Sequence, residues 1–415
     1  MAQELTVSAD EREYLRELAK RYVEYAHKPD MAKRVAKWTA HNELRGEPMV
    51  VFENWGVMHE LTTFRCQNPL ARWLESVMLT AVVNEDLVGD DKVITPDIAV
   101  DWQVGFKLFD EDTKSHRGTD NKGRQVGFHI DSVVADFPTW LAGLKPSIYG
   151  VDRDATLAQH EAVEGLIGDI VSVVRGNNSL KWFASPSSSI NFFMGMESML
   201  TEMMDHPDEM KELYRRITDD MLTFMHWQER EGLLTADNGN HYAGAGSYGF
   251  SRELKPGQPV RLSEKWLSLF SQETVGISPA MFEEFVYPSY ARLAAVAGLT
   301  YFGCCEPVHD IWDNAIGKLH GLRKVSVSPW CDETRIGEAL RAAKVIYSRK
   351  PSPNFVGIGT LDEAAWADHI ATTVRAARGG HLEIINRDVY TFEHDKTKPG
   401  RAVRIIREQI EKWWK

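Results

Sequence analysis

The last third of the chain repeats one unit four times: a short run of β-branched and aromatic residues, followed by a longer helical pattern. The four runs are LTYFGCCE (299–306), KVSVSPW (324–330), VIYSRK (345–350) and HLEIINRD (381–388). Strands that alternate with helices are typical of parallel sheets covered by helices. Together with the strand–helix patterns upstream, the count favours an α/β fold of the (β/α)8 barrel type, with residues 1–415 as a single domain.

Two segments depart from this repeat. Residues 1–45 look helical and charged, which predicts an N-terminal helical extension. Residues 95–135 have the pattern of hairpins or of an irregular insertion, with DNKG (120–123) as a turn. We expect the barrel to carry both segments as additions.

Composition and charge exclude several classes of protein. The chain is 43% hydrophobic and 26% charged, which is typical of a globular protein with a sizeable core. A net charge of −12 and the lack of a basic run argue against nucleic acid as a partner. No apolar segment has the length of a signal peptide or membrane span, which predicts a cytoplasmic protein without a membrane partner. Four cysteines are too few for a disulfide framework, so we expect reduced thiols.

A barrel places its chemistry at the carboxyl ends of its strands, and polar residues accumulate at the predicted strand ends. In chain order they are Asp237, Asn238, Asn240 and His241; Ser271, Gln272 and Glu273; Cys304, Cys305, Glu306 and His309; Ser328, Trp330 and Cys331; Ser348, Arg349 and Lys350; and Glu383, Asn386, Arg387 and Asp388. The glycines that follow His241 lack a P-loop lysine and match a nucleotide site poorly.

The stretch YFGCCEPVHD (301–310) contains two adjacent thiols, a carboxylate and an imidazole. Thiolate and imidazole suit zinc, and a catalytic zinc usually has three protein ligands, so we predict Cys304, Cys305 and His309 as ligands. In a strand the two thiols would point to opposite faces. They can meet one metal only if the chain has left the strand by Glu306, which Pro307 favours. The alternative is that the thiols merely fill space in the core.

Several residues at these strand ends are candidates for contact with a substrate. They are Asn238, Trp330, Arg349, Arg387 and Asp388. The arginines could hold an anionic group, and the alternative is an ion-pair network that braces the rim of the barrel. Glu383 stands between the apolar Leu382 and Ile384, so we expect it to face a polar interior, where it would need a partner or a raised pKa.

Three stretches resemble the uroporphyrinogen decarboxylase superfamily, over roughly residues 180–415. They are FFMGMESMLTEMMDHPDEMKELYRRITDDM (192–221), SPAMFEEFVYPSYARLAAVAGLTYFGCCEP (278–307) and GGHLEIINRD (379–388). The resemblance implies a (β/α)8 barrel that either decarboxylates a tetrapyrrole or transfers methyl groups with a corrinoid protein, often with zinc. The arginine-rich RQAGRY signature of the decarboxylases is missing. Phe302 stands where relatives that methylate thiols have a histidine, two residues before Cys304.

GCCEP and SVSPW are similar to the branch of corrinoid-dependent demethylation. That resemblance implies methyl transfer from a small donor, an aromatic methyl ether, to the cobalt of a corrinoid partner protein, with zinc as a cofactor. A homodimer is a separate expectation for the assembly. On this hypothesis Glu306, His241 and Glu383 are the catalytic candidates. Two alternatives stay open: a metal-free carboxy-lyase that holds a carboxylate with its arginines, and a protein that delivers a corrinoid or tetrapyrrole without chemistry.

Overall fold

The computed structural model describes residues 5–119 and 125–415. Its strands are β1 (Met49–Phe52), β2 (Asp97–Asp101), β3 (Gln103–Lys107), β4 (Lys114–Thr119), β5 (Gln125–Asp131), β6 (Ile148–Asp152), β7 (Ser172–Gly176), β8 (Tyr242–Gly244), β9 (Ser247–Tyr248), β10 (Trp266–Leu269), β11 (Leu299–Phe302), β12 (Leu322–Val327), β13 (Ile346–Arg349) and β14 (His381–Asn386).

The α-helices follow the same chain order. They are α1 (Ala9–Ala26), α2 (Pro29–Asn42), α3 (Met58–Leu61), α4 (Pro69–Leu87), α5 (Phe137–Ala142), α6 (Arg153–Ile167), α7 (Pro186–Met194), α8 (Met196–Asp205), α9 (Pro207–Arg230), α10 (Pro279–Met281), α11 (Tyr287–Ala294), α12 (Glu333–Ala343), α13 (Asn354–Gly357), α14 (Glu363–Ala377) and α15 (Lys398–Trp413). A π-helical turn, Phe282–Val286, joins α10 to α11. In the part of the chain that is described, no helix combines the length and apolarity needed to cross a bilayer.

A six-stranded parallel sheet forms the centre of the fold, in the order β1–β14–β13–β12–β11–β10. β2 and β7 form a separate parallel pair, and a single parallel bridge joins Ala184 to Leu269. The protein is therefore an α/β protein with a mostly parallel sheet. Closure of these strands into an eight-stranded barrel stays a prediction, because the pairings among the described residues do not complete the ring.

The two predicted additions are organised differently from each other. Helices α1 and α2 occupy most of residues 1–45. Within residues 95–135, β4 and β5 form the expected antiparallel hairpin, whereas the DNKG turn lies outside the described residues. The start of this segment needs correction, because β2 belongs to a parallel pair with β7 and is not part of a hairpin.

One face of the central sheet is polar, although it is buried. In parallel register, residues directly opposite one another share a face, and Ser348 is paired with Glu383 while Tyr301 is paired with Lys324. We call the side that carries these four residues and Ser268 the inner face. The opposite, outer face is apolar at most positions and packs against helices. A buried polar face must be satisfied internally, which makes it the first place to look for function.

The β8–β9 hairpin covers the inner face and accounts for the glycine-rich loop seen in the sequence. At Gly244 a Cβ atom would overlap the ring of Tyr301 and lie 3.0 Å from Ser268 Oγ. At Gly246, where φ is +85°, a Cβ would lie 2.6 Å from a methyl group of Ile385. The glycines therefore let the hairpin backbone approach the sheet closely.

Gly244→Ala should lower the free energy of unfolding by about 1–3 kcal/mol, because the added methyl group forces the hairpin away from Tyr301. Urea unfolding followed by tryptophan fluorescence measures the change. Gly105→Ala is the matched control, since a Cβ there meets no atom within 4 Å, and we expect a change within about 0.5 kcal/mol. Equal unfolding midpoints for the two variants would show that the hairpin is not tightly packed.

Candidate active site at the carboxyl ends of the strands

Glu383 is the centre of a buried charge network on the inner face. Its carboxylate oxygens lie within hydrogen-bonding distance of His41 Nε2 (3.2 Å), Ser247 Oγ (3.0 Å), Lys324 Nζ (2.9 Å) and Ser348 Oγ (2.5 Å). All five side chains are fully buried. The network joins α2, the hairpin and three strands through one carboxylate.

This network keeps Glu383 ionised. Burial by itself raises the pKa of Glu383, but the charges of Lys324 and Lys350 and the hydrogen bond from His41 outweigh burial, and the pKa lies well below its usual range. Burial lowers the pKa of Lys324, and Glu383 opposes that shift. Glu383 faces a polar interior, as the sequence predicts, and Lys324 is the partner that its buried charge requires.

Lys350 extends the network toward the carboxyl ends of the strands. Its Nζ donates to Tyr301 Oη (2.8 Å) and to Ser348 Oγ (2.7 Å), and Ser348 in turn donates to Glu383. Burial lowers the pKa of Lys350 to about 7, against the opposing charge of Glu383. An amine with this pKa can release and regain a proton at neutral pH, which is the property required of a general acid or base.

Around the carboxyl ends of the strands, several other buried polar atoms have no aligned hydrogen-bond partner within the described residues. They are Arg387 Nε and Nη1, Glu53 Oε2, Tyr242 Oη and Ser268 Oγ. Arg387 Nε lies 3.4 Å from Glu53 Oε2 and 3.2 Å from Asp388 Oδ2, so these groups share one charged cluster. Buried polar atoms are almost always paired with protein, water or ligand, so this cluster is suited to hold a polar ligand.

Aromatic side chains form a wall beside this cluster. The ring of Trp182 lies 5.4 Å from Tyr242 and 5.3 Å from Phe270, and the Arg387 guanidinium lies 5.5 Å from Trp182. Trp182 has φ of +60°, a conformation that large residues rarely adopt and that clusters at functional sites. The wall offers flat apolar contacts to a ligand whose polar end meets Arg387.

The two adjacent thiols converge, because the chain leaves β11 earlier than the sequence pattern indicates. β11 ends at Phe302, and Gly303 then adopts φ of +102°. The sulfur atoms of Cys304 and Cys305 lie 3.6 Å apart; Cys304 is buried and Cys305 is exposed. The alternation of faces that holds inside a strand no longer applies beyond Phe302.

The predicted zinc ligands are not assembled into a site. His309 accepts a hydrogen bond from the backbone N–H of Asp332 at 3.4 Å, and its other nitrogen lies 3.7 Å from Asp310. Over residues 5–119 and 125–415, no group of three or more histidine, cysteine, aspartate or glutamate side chains is arranged to hold a metal. The two thiols supply a pair of soft ligands without the third, so this donor set does not fit the zinc site expected from the sequence.

Glu306 positions the thiol loop. Its two oxygens accept the backbone N–H groups of Ser271 (2.7 Å) and Cys304 (2.8 Å), and the side chain is 2% exposed. Burial raises the pKa of Glu306, and these N–H donors oppose the shift. A carboxylate with both oxygens occupied in this way fixes the loops after β10 and β11, and the catalytic role of Glu306 stays a prediction.

Three of the other predicted residues lie outside the Lys350 network. His241 is exposed and lines a cleft that also includes Tyr242 and Ser268 of the cluster described above. Asn238 donates to the backbone carbonyl of Leu254 at 3.2 Å and so holds its own loop. Trp330 is 74% exposed at the end of β12. None of the three contacts the Lys350 network in the described part of the chain.

Arg349 requires a correction, because strand alternation separates it from its neighbour Lys350. Ser348 faces inward, so Arg349 faces outward, where it forms an ion pair with Glu333 of α12 at 2.7 Å. It also donates to the backbone carbonyl of Ser328 at 2.6 Å. Arg349 thus braces strand against helix, while Arg387 and Asp388 remain in the cluster beside Glu53.

Sequence reasoning missed much of the network. Lys324 precedes the alternation of Ser326 and Ser328 with two valines, a pattern that indicates a strand with one polar face and could have placed it. Glu53 directly follows the apolar strand β1, and a polar residue at a strand end could likewise have been predicted as part of the site. His41 lies on a helix and Ser247 in a hairpin, and neither has a local pattern that points to Glu383.

Comparisons with known proteins add little to this geometry. No protein-family model and no curated protein matches the sequence. Among solved structures, the chain is similar to a methyltransferase from Methanosarcina mazei, with 13% sequence identity, a TM-score of 0.45, and coverage of 83% of this chain and 86% of that chain. At that TM-score the similarity supports no conclusion about function, so any functional proposal must rest on the geometry of the site.

Proposed function

We propose that the protein is a methyltransferase that moves a methyl group from a small methylated donor, an aromatic methyl ether, to the cobalt of a corrinoid partner protein. The observation that carries the proposal is the buried Lys350–Tyr301 pair, a proton donor with a pKa near neutrality. It lies in the network that continues toward the aromatic wall and Arg387. The resemblance of residues 180–415 to the uroporphyrinogen decarboxylase superfamily, and of GCCEP and SVSPW to its branch of corrinoid-dependent demethylation, supports the class of reaction.

In this reaction the reduced cobalt of the partner is the methyl acceptor. The C–O bond of the donor breaks as the C–Co bond forms, the electron pair stays on the oxygen, and that oxygen needs a proton. Lys350 supplies the proton through the hydroxyl group of Tyr301, which is 2.8 Å away. Water then restores the proton to the amine. Glu383 favours the charged amine through Ser348, so the acid is ready before the bond breaks.

The remaining residues bind and orient the donor. Trp182 and Tyr242 pack against an aromatic ring, and Arg387 contacts its polar substituents. No step is routed through zinc, because the donor set does not fit it. The corrinoid belongs to the partner protein, and the homodimer and the cytoplasmic location stay predictions.

A carboxy-lyase is the second candidate, and Arg387 is the observation that favours it. Its Nη1 is buried without a hydrogen-bond acceptor among the described residues, and its Nε forms no aligned hydrogen bond although Asp388 Oδ2 lies 3.2 Å away, which suits a substrate carboxylate. Loss of carbon dioxide from another carboxylate of the substrate would leave a carbanion, and Lys350 could protonate it. Lys350 is the proton donor in both candidate reactions. The reactions differ in the atom that receives the proton, an oxygen or a carbon, and in the product.

Cobalt spectroscopy separates the two functions. The protein is mixed with free cob(I)alamin, and separately with a reduced corrinoid protein, in the presence of a panel of methoxylated aromatics. We expect the cob(I) absorbance to fall and the methylcobalt absorbance to rise, with one phenol released for each methyl group. Carbon dioxide release from a carboxylated substrate, without methylcobalt from any donor, would instead establish the lyase.

A further inference from the structure

The thiol pair has no part in the reaction proposed above, yet its geometry is specific. Cys304 and Cys305 are sequence neighbours whose sulfurs lie 3.6 Å apart, and one of the two reaches solvent. The other two cysteines, Cys66 and Cys331, are buried and far from this loop in the sequence. The chain therefore presents one dithiol that a small reagent can reach.

We propose that Cys304 and Cys305 react with low-molecular-weight disulfides such as glutathione disulfide and become joined to each other by a reversible disulfide bond. The pair is then a redox-sensitive modification site in the loop after β11. This inference does not depend on the proposed function, because it concerns only the thiols and their loop.

The exchange occurs in two balanced steps. The sulfur of Cys305 attacks one sulfur of the small disulfide, forms a mixed disulfide and releases the first small thiol. The sulfur of Cys304 then attacks the Cys305 sulfur and releases the second. The protein loses two electrons and two protons, and the small disulfide gains them as two thiols. The exposure of Cys305 sets the order of attack, and the adjacent Cys304 acts as the resolving thiol.

The bond that forms is strained. Adjacent Cα atoms across a trans peptide are about 3.8 Å apart, below the usual disulfide range of about 4.4–6.8 Å. The 304–305 peptide must therefore distort as the sulfurs approach. That motion pulls on two contacts of Cys304: its N–H to Glu306 (2.8 Å) and its carbonyl to Ser326 (2.7 Å). Strained disulfides are readily reduced, which makes this one a reversible signal.

Oxidation is also coupled to a second loop. Glu306 accepts the N–H of Ser271 with its other oxygen, so a shift of Cys304 is transmitted to the loop after β10. Ser271 directly follows Phe270, which packs against Trp182 of the aromatic wall. Closing the disulfide would thus disturb the aromatic wall without contacting a ligand.

Mass spectrometry of the full-length native protein tests the proposal. The protein is incubated with glutathione disulfide, free thiols are blocked with N-ethylmaleimide, and peptides are mapped. We expect the peptide with Cys304 and Cys305 to lose the mass of two hydrogens and take up no maleimide, and reduced glutathione to reverse the change. Cys66 and Cys331 should stay protected until the protein is denatured. A stable glutathione adduct on native Cys305, or no reaction at all, would overturn the proposal.

Two serine variants test the order of the steps. Cys304→Ser leaves the exposed thiol without its resolving partner, so a stable glutathione adduct should accumulate on Cys305. Cys305→Ser leaves the buried thiol, and we expect at least a tenfold slower reaction with glutathione disulfide. Equal rates for native protein and the Cys305→Ser variant would contradict the assignment of Cys305 as the first nucleophile.

Discussion

Lys350→Met should reduce kcat for methyl transfer by about 100- to 10,000-fold, the range expected when a positioned general acid is removed. Methionine keeps much of the volume of lysine but cannot donate to Tyr301, so the departing oxygen would leave without a proton. Initial rates of methylcobalt formation at saturating donor measure the effect. We expect KM for the donor to change much less, because Lys350 is not among the residues placed against its ring.

The wild-type rate should fall as the pH rises through about 7, since the amine that donates the proton is then deprotonated. The Lys350→Met variant should lose this dependence along with its activity. Lys20→Met is the matched control: it removes the same group from an exposed position on α1 and should react at the wild-type rate. A Lys350→Met protein within tenfold of wild type, with an unchanged pH profile, would remove Lys350 from the chemistry.

Glu383→Met should lower the free energy of unfolding by about 3–5 kcal/mol, the usual cost of leaving a buried charge without its partner. Lys324 Nζ is then fully buried with only Ser247 and a backbone carbonyl as acceptors. Urea unfolding at neutral pH measures the loss, with agreement between fluorescence and circular dichroism as the check on two-state behaviour.

A double variant tests whether the unpaired charge of Lys324 causes that loss of stability. The double variant Glu383→Met, Lys324→Met removes both charges and should recover part of the stability, because no unpaired charge remains. Glu363→Met is the control at a half-exposed ion pair with Arg401 and should leave the unfolding midpoint close to wild type. A single Glu383→Met variant as stable as wild type would mean that Lys324 gives up its charge without penalty.

The sequence pattern located the strands of the last third but placed their ends less well. β13 and β14 lie within the runs predicted for them, whereas β12 begins at Leu322, ahead of the predicted start at Lys324. β11 stops at Phe302, four residues before the predicted end, because Gly303 turns the chain. The strand predicted to end at Asp237 has no ladder hydrogen bonds, and the Asp237 carboxylate instead accepts the N–H of Trp266 at 3.1 Å.

The site was predictable where it depends on alternation and unpredictable where it depends on the topology of the fold. The apolar neighbours of Glu383 indicated its direction correctly. Arg349 and Lys350 are adjacent in the chain, and only the phase of β13 shows that they point to opposite faces. His41 and Glu383 are separated by most of the chain, so their contact follows from β1 and α2 packing beside β14, which no local pattern encodes.

The pairing of β1 with β14 also constrains how the protein is made. β1 leaves the ribosome long before β14, yet Met49 is paired with Glu383. Until β14 has been synthesised, that edge of β1 lacks its native partner strand. An unpaired apolar strand edge is a template for association with other chains, and contacts of such long sequence separation form slowly. The apolar edge of β1 is therefore exposed to such association for as long as β14 is missing.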